Sequence, residues 1–190
     1  MGHILPVEEI TDSHNLKKVH YIPTYIANSD KDIYASPQNR LEMLEKSIGL
    51  HKKFIIDDRE IIRKGKSYTY QTLEELETIY HEANLYLIIG DDILNYIHTW
   101  KNFYRILELS NIIVMNRNGN INSCDKLVSS AITSDINVFH DFSCGKIFIE
   151  KTSKINASSE EIRNRLKNNQ SVSEFIQKDL DRWLESNKVY

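Results

Sequence analysis

Cysteine is the first scarcity. The 190 residues contain two, Cys124 and Cys144. Two cysteines build no disulfide framework, and these two lie in no zinc-binding spacing. The composition therefore points to a reduced, cytoplasmic protein. Long apolar runs are missing as well. None approaches the roughly 20 residues that a membrane span needs. There is no basic excess either: the formal net charge is -3, which excludes a chain-wide electrostatic footprint for nucleic acid. Glu8 and Glu9 come too early for a signal peptide. The seven histidines are scattered, and no pair has the spacing of metal ligands. No internal repeat or low-complexity linker interrupts the chain.

What is present is an alternation of apolar strands and amphipathic helices. A helix is expected over residues 4–15, then a strand over Val19–Ile22 ended by Pro23. Ser36-Pro37 is a helix start, with Ser as N-cap and Pro in the first turn. Leu41, Leu44 and Ile48 follow on one face. "KFIID" (53–57) reads as a short strand and "DDREIIRKGKSYTY" as a polar loop turning at Gly65. Thr72 opens a helix with Leu73, Leu76 and Tyr80 on one side. "NLYLIIGDD" is an unbroken apolar strand, as expected of a parallel strand covered on both faces. A helix over 92–109, a strand over 111–115, a surface loop over 116–124, a helix over 123–133 and a strand over 145–150 follow. "SSEEIRNRLKN" and "SVSEFIQKDLDRWLESN" read as closing helices. Such alternation specifies an α/β fold, a parallel sheet with helices on both faces. One domain over residues 1–190 is expected, with a C-terminal helical segment over about 157–190.

In open α/β sheets ligands bind beyond the carboxyl ends of the strands. Lys31 follows the first strand. Asp58 and Glu60 follow the second, Asp91 and Asp92 the third, Arg117 the fourth and Ser158 the fifth. Each has a plain structural alternative. Asp91 and Asp92 could bind ribose hydroxyls or a metal, and strand-end aspartates equally serve as N-caps. Trp100 could stack on a flat ring or sit in the core. Ser158-Ser159-Glu160-Glu161 is a capping box, and a helix start also attracts phosphate. Arg163 in that first turn could add a charge-assisted contact or be solvated. Glu161 and Arg165 are spaced for a surface ion pair.

Taken in order, the segments resemble those of bacterial nicotinate-nucleotide adenylyltransferases. "YIPTYI" followed by Lys31 is similar to the family's F-I-P loop ending in a basic residue. "RLEMLEKSI" (40–48) is similar to its R-L-x-M-L helix. "DDREIIRKGKSYTYQTL" (57–73) resembles D-x-E…R-G-G-x-S-Y-T-x-x-T-L. "YLIIGDDILNYIHTW" (86–100) resembles F-I-I-G-A-D-x-L…W. "ASSEEIRNRL" (157–166) resembles I-S-S-T-x-I-R. The closing "WLESNKVY" resembles the usual C-terminal helix.

The resemblance implies a Rossmann-like nucleotidyltransferase fold. It implies adenylyl transfer from ATP to nicotinate mononucleotide, giving deamido-NAD and pyrophosphate, with Mg²⁺ carried by the triphosphate. It also implies site residues. Gly2 and His3 match the end of the family's H-x-G-H motif on the ATP phosphates. His3 is the candidate catalytic residue. Ser158, Ser159 and Arg163 match its second phosphate-binding motif. Gly90 and Asp92 match the G-A-D segment that holds a nucleotide ribose. Tyr68, Thr69 and Trp100 match the pyridine subsite, and Lys31 the basic end of the F-I-P loop. ATP and nicotinate mononucleotide are the implied partners, with neither nucleic acid nor membrane. Homo-oligomerisation is left open.

Three departures stand out. The family opens with a strand and G-G-[ST]-F-D-P-x-H directly before x-G-H, and here Met1 stands at the x. A sheet lacking its first strand, and a form of poor activity, are the expectation. Glu160 replaces the usual Thr, and no His stands in "NSDK". These keep two further readings in play. One is a truncated or non-catalytic nucleotide-binding descendant. The other is an adenylyltransferase for nicotinamide mononucleotide.

Overall fold

The computed structural model describes residues 4–26, 35–49, 51–117, 125–153, 159–187 and 189. The chain forms two compact units, Met1–Ser67 with Ile155–Tyr190, and Tyr68–Lys154.

The first unit opens with α1 (Leu5–Ser13), which carries Pro in its first turn, where an N–H would have no helical partner. Val7, Ile10 and Thr11 form its buried face. The Thr11 hydroxyl donates to the Val7 carbonyl at 2.6 Å, which satisfies it in the core. β1 (Val19–Tyr21) and β2 (Phe54–Ile56) pair in parallel, Val19 opposite Phe54. The crossover between them holds α2 (Pro37–Ile48). Ser36 caps it as its sequence predicts: Oγ accepts from the Asn39 N–H at 3.1 Å. After β2 the expected loop contains a helix, α3 (Arg59–Arg63). The Asp57 carboxylate accepts from the Arg59 N–H at 3.2 Å, an Asx-type turn that starts the helix from a strand end.

The second unit begins with α4 (Thr69–Ile79), which starts before the expected Thr72. Thr72 is buried within it, beside Leu73 and Leu76. β3 (Tyr86–Gly90) follows. The single helix expected over 92–109 is broken into α5 (Asp91–Leu94), a 3₁₀ turn (Ile97–Thr99) and α6 (Phe103–Leu109). Asn102 adopts φ 55° at the last break, a left-handed conformation that Asn tolerates better than most residues. β4 (Asn111–Asn116) comes next. Then come α7 (Lys126–Ala131), β5 (Ile132–Thr133) and α8 (Ile136–Asp141). Asp125 and Asp135 cap α7 and α8, accepting from Leu127 N and Asn137 N, each at 2.8 Å. β6 (Ile147–Lys151) ends the unit's sheet.

The chain then returns to the first unit as α9 (Ser159–Lys167) and α10 (Lys178–Asn187). Residues 171–177, expected to be helical, belong to neither. Val172, Ile176, Leu180 and Leu184 form a small core there. The Trp183 indole N–H donates to Glu42 on α2 at 3.1 Å.

The strands are parallel throughout, as expected, but they form two sheets, β1-β2 and β3-β4-β6-β5. Among the described residues β1 and β3 each have one partner strand. Among the described residues β3 stands at the end of its sheet, and of its side chains only Ile89 is buried. The strand covered on both faces is β4, where Ile112, Ile113 and Val114 have no exposure. Each such side chain contributes about 1.5–3 kcal/mol of burial. Among the described residues no helix is long and apolar enough to cross a membrane.

Asn111 at the start of β4 is fully buried and polar. Its Nδ2 donates to the carbonyls of Phe142 at 2.6 Å and Phe139 at 3.4 Å. Its Oδ1 accepts from the Lys146 N–H at 2.8 Å. One side chain thus joins β4 to the end of α8 and the start of β6. Leaving these groups unpaired should cost about 3 kcal/mol or more, since each buried orphan costs about 1–3 kcal/mol. Asn111→Ala is expected to show that loss in urea unfolding followed by Trp100 emission in a Trp183→Phe background.

Candidate active site

The site residues named from sequence divide between the two units, and each unit is built separately. In the second unit β3 ends at Gly90 and β4 at Asn116, with Gly90 paired to Met115. Asp91 and Asp92 open α5 directly after β3. Arg117 leaves β4 beside them. Its Nη2 lies 3.6 Å from Asp91 Oδ1 and 3.5 Å from Asp92 Oδ1. The Asp91 side chain is 7% exposed and that of Asp92 58%. The Asp92 N–H also donates to Asp91 Oδ1 at 3.1 Å. This edge therefore presents one carboxylate to solvent and anchors the other. Burial, and the negative charge of Asp92, push the nearby Tyr96 phenol up from its ordinary value.

Tyr68 and Thr69 stand at the start of α4, with Tyr68 as the extended N-cap residue. Lys101, next to Trp100, places its Nζ 4.3 Å from the centre of the Tyr68 ring, a cation–π contact. Trp100 is partly buried and packs against the core of the unit. Both of its sequence readings thus have a basis, since it is a core residue that keeps some exposed surface.

In the first unit Gly2, His3, Lys31 and Ser158 lie outside the described residues, as does the Ser159 side chain. The backbone of Ser159 starts α9, and Arg163 is half-buried one turn on. The expected surface pair forms, with Arg165 Nη2 3.2 Å from Glu161 Oε1. Glu160 is exposed in the first turn. Glu60, a strand-end candidate by its position, is instead buried in α3 with Arg63 Nη2 at 3.7 Å. The helix there turns it inward.

Two arrangements escaped the sequence. Arg40 of α2 holds the loop that follows β1. Its Nη1 donates to the Thr24 carbonyl and to Thr24 Oγ1, and its Nη2 to the Tyr25 carbonyl at 3.1 Å. The Tyr25 N–H donates to Ser67 Oγ at 3.1 Å, and the Ser67 N–H to the Ile26 carbonyl at 3.1 Å. The backbone of Thr24, Tyr25 and Ile26 is held by Arg40 and Ser67 in this way. The second arrangement is a half-buried trio. His20 Nδ1 lies 2.8 Å from Asp57 Oδ2, and Arg59 Nε donates to both Asp57 oxygens at 2.9 Å. The strand-end position of Asp57 and the D-x-R spacing were the available signals for it.

The family model described as cytidylyltransferase-like matches residues 1–165. The chain belongs to the cytidylyltransferase-like family. Within it, a probable nicotinate-nucleotide adenylyltransferase of Psychromonas ingrahamii is 34% identical over 183 residues, covering 94% of this chain and 85% of its own length. One from Fusobacterium nucleatum is 30% identical over 191 residues, covering 100% and 92%. Among solved structures, the Plasmodium falciparum nicotinic acid mononucleotide adenylyltransferase complexed with NaAD aligns with TM-score 0.62 at 15% identity. It covers 95% of this chain and 88% of that one, which supports the Rossmann-like nucleotidyltransferase fold. The segments that resemble an F-I-P loop and an R-L-x-M-L helix are the two that Arg40 joins.

Asp57 gives this unit a pH dependence. Burial pushes its carboxyl up, but hydrogen bonds from Arg59 and His20 and the Arg59 charge more than reverse this, leaving it below the ordinary value. A depressed carboxyl stabilises the fold above its unfolded pKa of about 3.9, and that stabilisation is lost as pH falls through the folded value. Unfolding followed at Trp183 should therefore show stability dropping below about pH 4. Asp57→Asn should be less stable at pH 7 and show a shallower acid slope.

Proposed function

We propose that the chain is a nucleotidyltransferase that moves the adenylyl group of ATP to nicotinate mononucleotide, forming deamido-NAD in NAD biosynthesis. A phosphate oxygen of the mononucleotide attacks the α-phosphorus of ATP in line. The bond from that phosphorus to the bridging oxygen breaks, and pyrophosphate leaves. The observation that carries this reading is sustained similarity, 34% identity across 94% of the chain, to a relative bearing that name.

The chemistry asks the protein for position and charge neutralisation rather than a nucleophile. In this reading Gly2, His3, Ser158, Ser159 and Arg163 take the ATP phosphates, with His3 as the catalytic residue. Gly90 and Asp92 hold a ribose. Tyr68, Thr69 and Trp100 frame the pyridine ring, and Lys31 faces the mononucleotide. Mg²⁺, when bound, neutralises the triphosphate and comes with it. Mg²⁺ commonly binds through substrate phosphate oxygens, and Asp91 and Asp92 already share the Arg117 cation. The reading treats residues 1–190 as one catalytic domain acting in the cytoplasm.

Pyrophosphate release from ATP is expected with nicotinate mononucleotide, and at least about tenfold more slowly with nicotinamide mononucleotide, a discrimination worth about 1.4 kcal/mol. Trp100→Ala should raise KM for the mononucleotide about tenfold through lost stacking. A folded chain that neither releases pyrophosphate nor binds deamido-NAD in titration calorimetry would overturn the proposal.

A further inference from the structure

The two strand ends in the second unit hold an arrangement that the site motifs do not describe. Gly90 pairs with Met115, so Asp92 and Arg117, each two residues further on, leave neighbouring strands side by side. One guanidinium nitrogen of Arg117 reaches both aspartates, at 3.6 Å to Asp91 and 3.5 Å to Asp92. Asp91 is nearly buried and also accepts the Asp92 N–H. The cation therefore ties a presented carboxylate to an anchored one. Gly90 makes room for this. A Cβ there would stand 2.4 Å from Asp92 Oδ1 and 3.0 Å from Arg117 Nη2. The first distance is well inside van der Waals contact, so the carboxylate would have to swing away.

We infer that Arg117 is the positioning residue for Asp92: it holds the carboxylate over the bare end of β3, in one rotamer, ready for a nucleotide ribose. This rests on the reading of Asp92 as a ribose ligand. An exposed aspartate left alone samples several rotamers and must be ordered when ligand binds. A cation already bridging it to Asp91 removes that cost from binding. The 3.5 Å separation leaves room for the contact to tighten when a hydroxyl joins it. Gly90 and Arg117 then act as a pair, one by having no side chain and the other by its charge.

Two measurements test this. In steady-state kinetics Arg117→Ala should raise KM for nicotinate mononucleotide about tenfold, with kcat within about twofold, as expected for lost ground-state binding. Arg117→Lys should give an intermediate KM, since it keeps the charge without the planar fork. Gly90→Ala should reproduce the KM rise with Arg117 intact. An unchanged KM in folded Arg117→Ala, or a fall in kcat alone, overturns the inference. In the ligand-free protein, three-bond couplings to the Asp92 carboxyl carbon should report one rotamer in the wild type and averaging in Arg117→Ala. Averaged couplings in the wild type also overturn it. Single-rotamer couplings in a wild type that shows no turnover would instead refute adenylyl transfer and leave the clasp standing.

Discussion

The parallel register of β3 on β4 is the constraint from which the rest of the second unit follows. Parallel pairing places residues of equal register at one height along the sheet. Gly90 faces Met115, and Met115 faces Glu150, so three strand ends line one edge. A slip of one residue would send every β4 side chain to the opposite face. With Ile112, Ile113 and Val114 all fully buried, such a slip would gain no solvent face for anything and would misplace a filled core. Asn111 fixes the other end of the same strand through its three hydrogen bonds. The strand is thus pinned at its start by a polar side chain and along its length by burial. What leaves its far end, Arg117, has little freedom about where to emerge.

Much of the fold was legible because its signals are local. Ser36-Pro37 announces α2 by chemistry completed within four residues, and the Asn39 N–H answers it. Glu161 and Arg165 announce their ion pair by helical spacing. The apolar runs of β1, β2, β3, β4 and β6 were visible as strands. What packs on each face was not visible, and β3 was expected to be covered on both although only Ile89 is buried. An apolar run says that a strand is buried somewhere, whereas the coverage of each face depends on what packs there. The helix expected over 92–109 failed for a related reason. Its periodicity is helical on average, but Asn102 in a left-handed conformation ends one segment and begins the next.

The candidate site divides the same way. Residues that resemble a motif could be named from sequence: Gly90, Asp92, Tyr68, Thr69 and Trp100. The long-range contacts that hold strand ends and loops could not. Arg40 looks like a helix residue with an apolar face beside it, and its bonds to Thr24 and Tyr25 span about 15 positions of chain. His20 and Asp57 meet only because β1 and β2 pair, bringing His20 opposite Ile55. Arg117 was visible as a strand-end cation but not as a partner of Asp91 and Asp92. Such contacts carry no local signature, since either partner alone is an ordinary polar residue near a loop.

On the proposed reading, adenylyl transfer gives these supporting contacts unusual weight. A reaction without a covalent intermediate on the protein depends on how closely two bound nucleotides approach in line. Small errors in placement then cost rate directly, so a residue that fixes a ligand-binding group acts on the reaction almost as strongly as the group itself. Each unit answers this demand with its own devices. In the first, Arg40 and Ser67 hold the loop after β1 from opposite sides. In the second, Arg117 holds the carboxylate over Gly90, and Lys101 sits on the Tyr68 ring. Cations hold loop carbonyls, carboxylates and a ring face in these contacts. A site of this kind is specified less by the groups that touch substrate than by the positively charged side chains that keep those groups still.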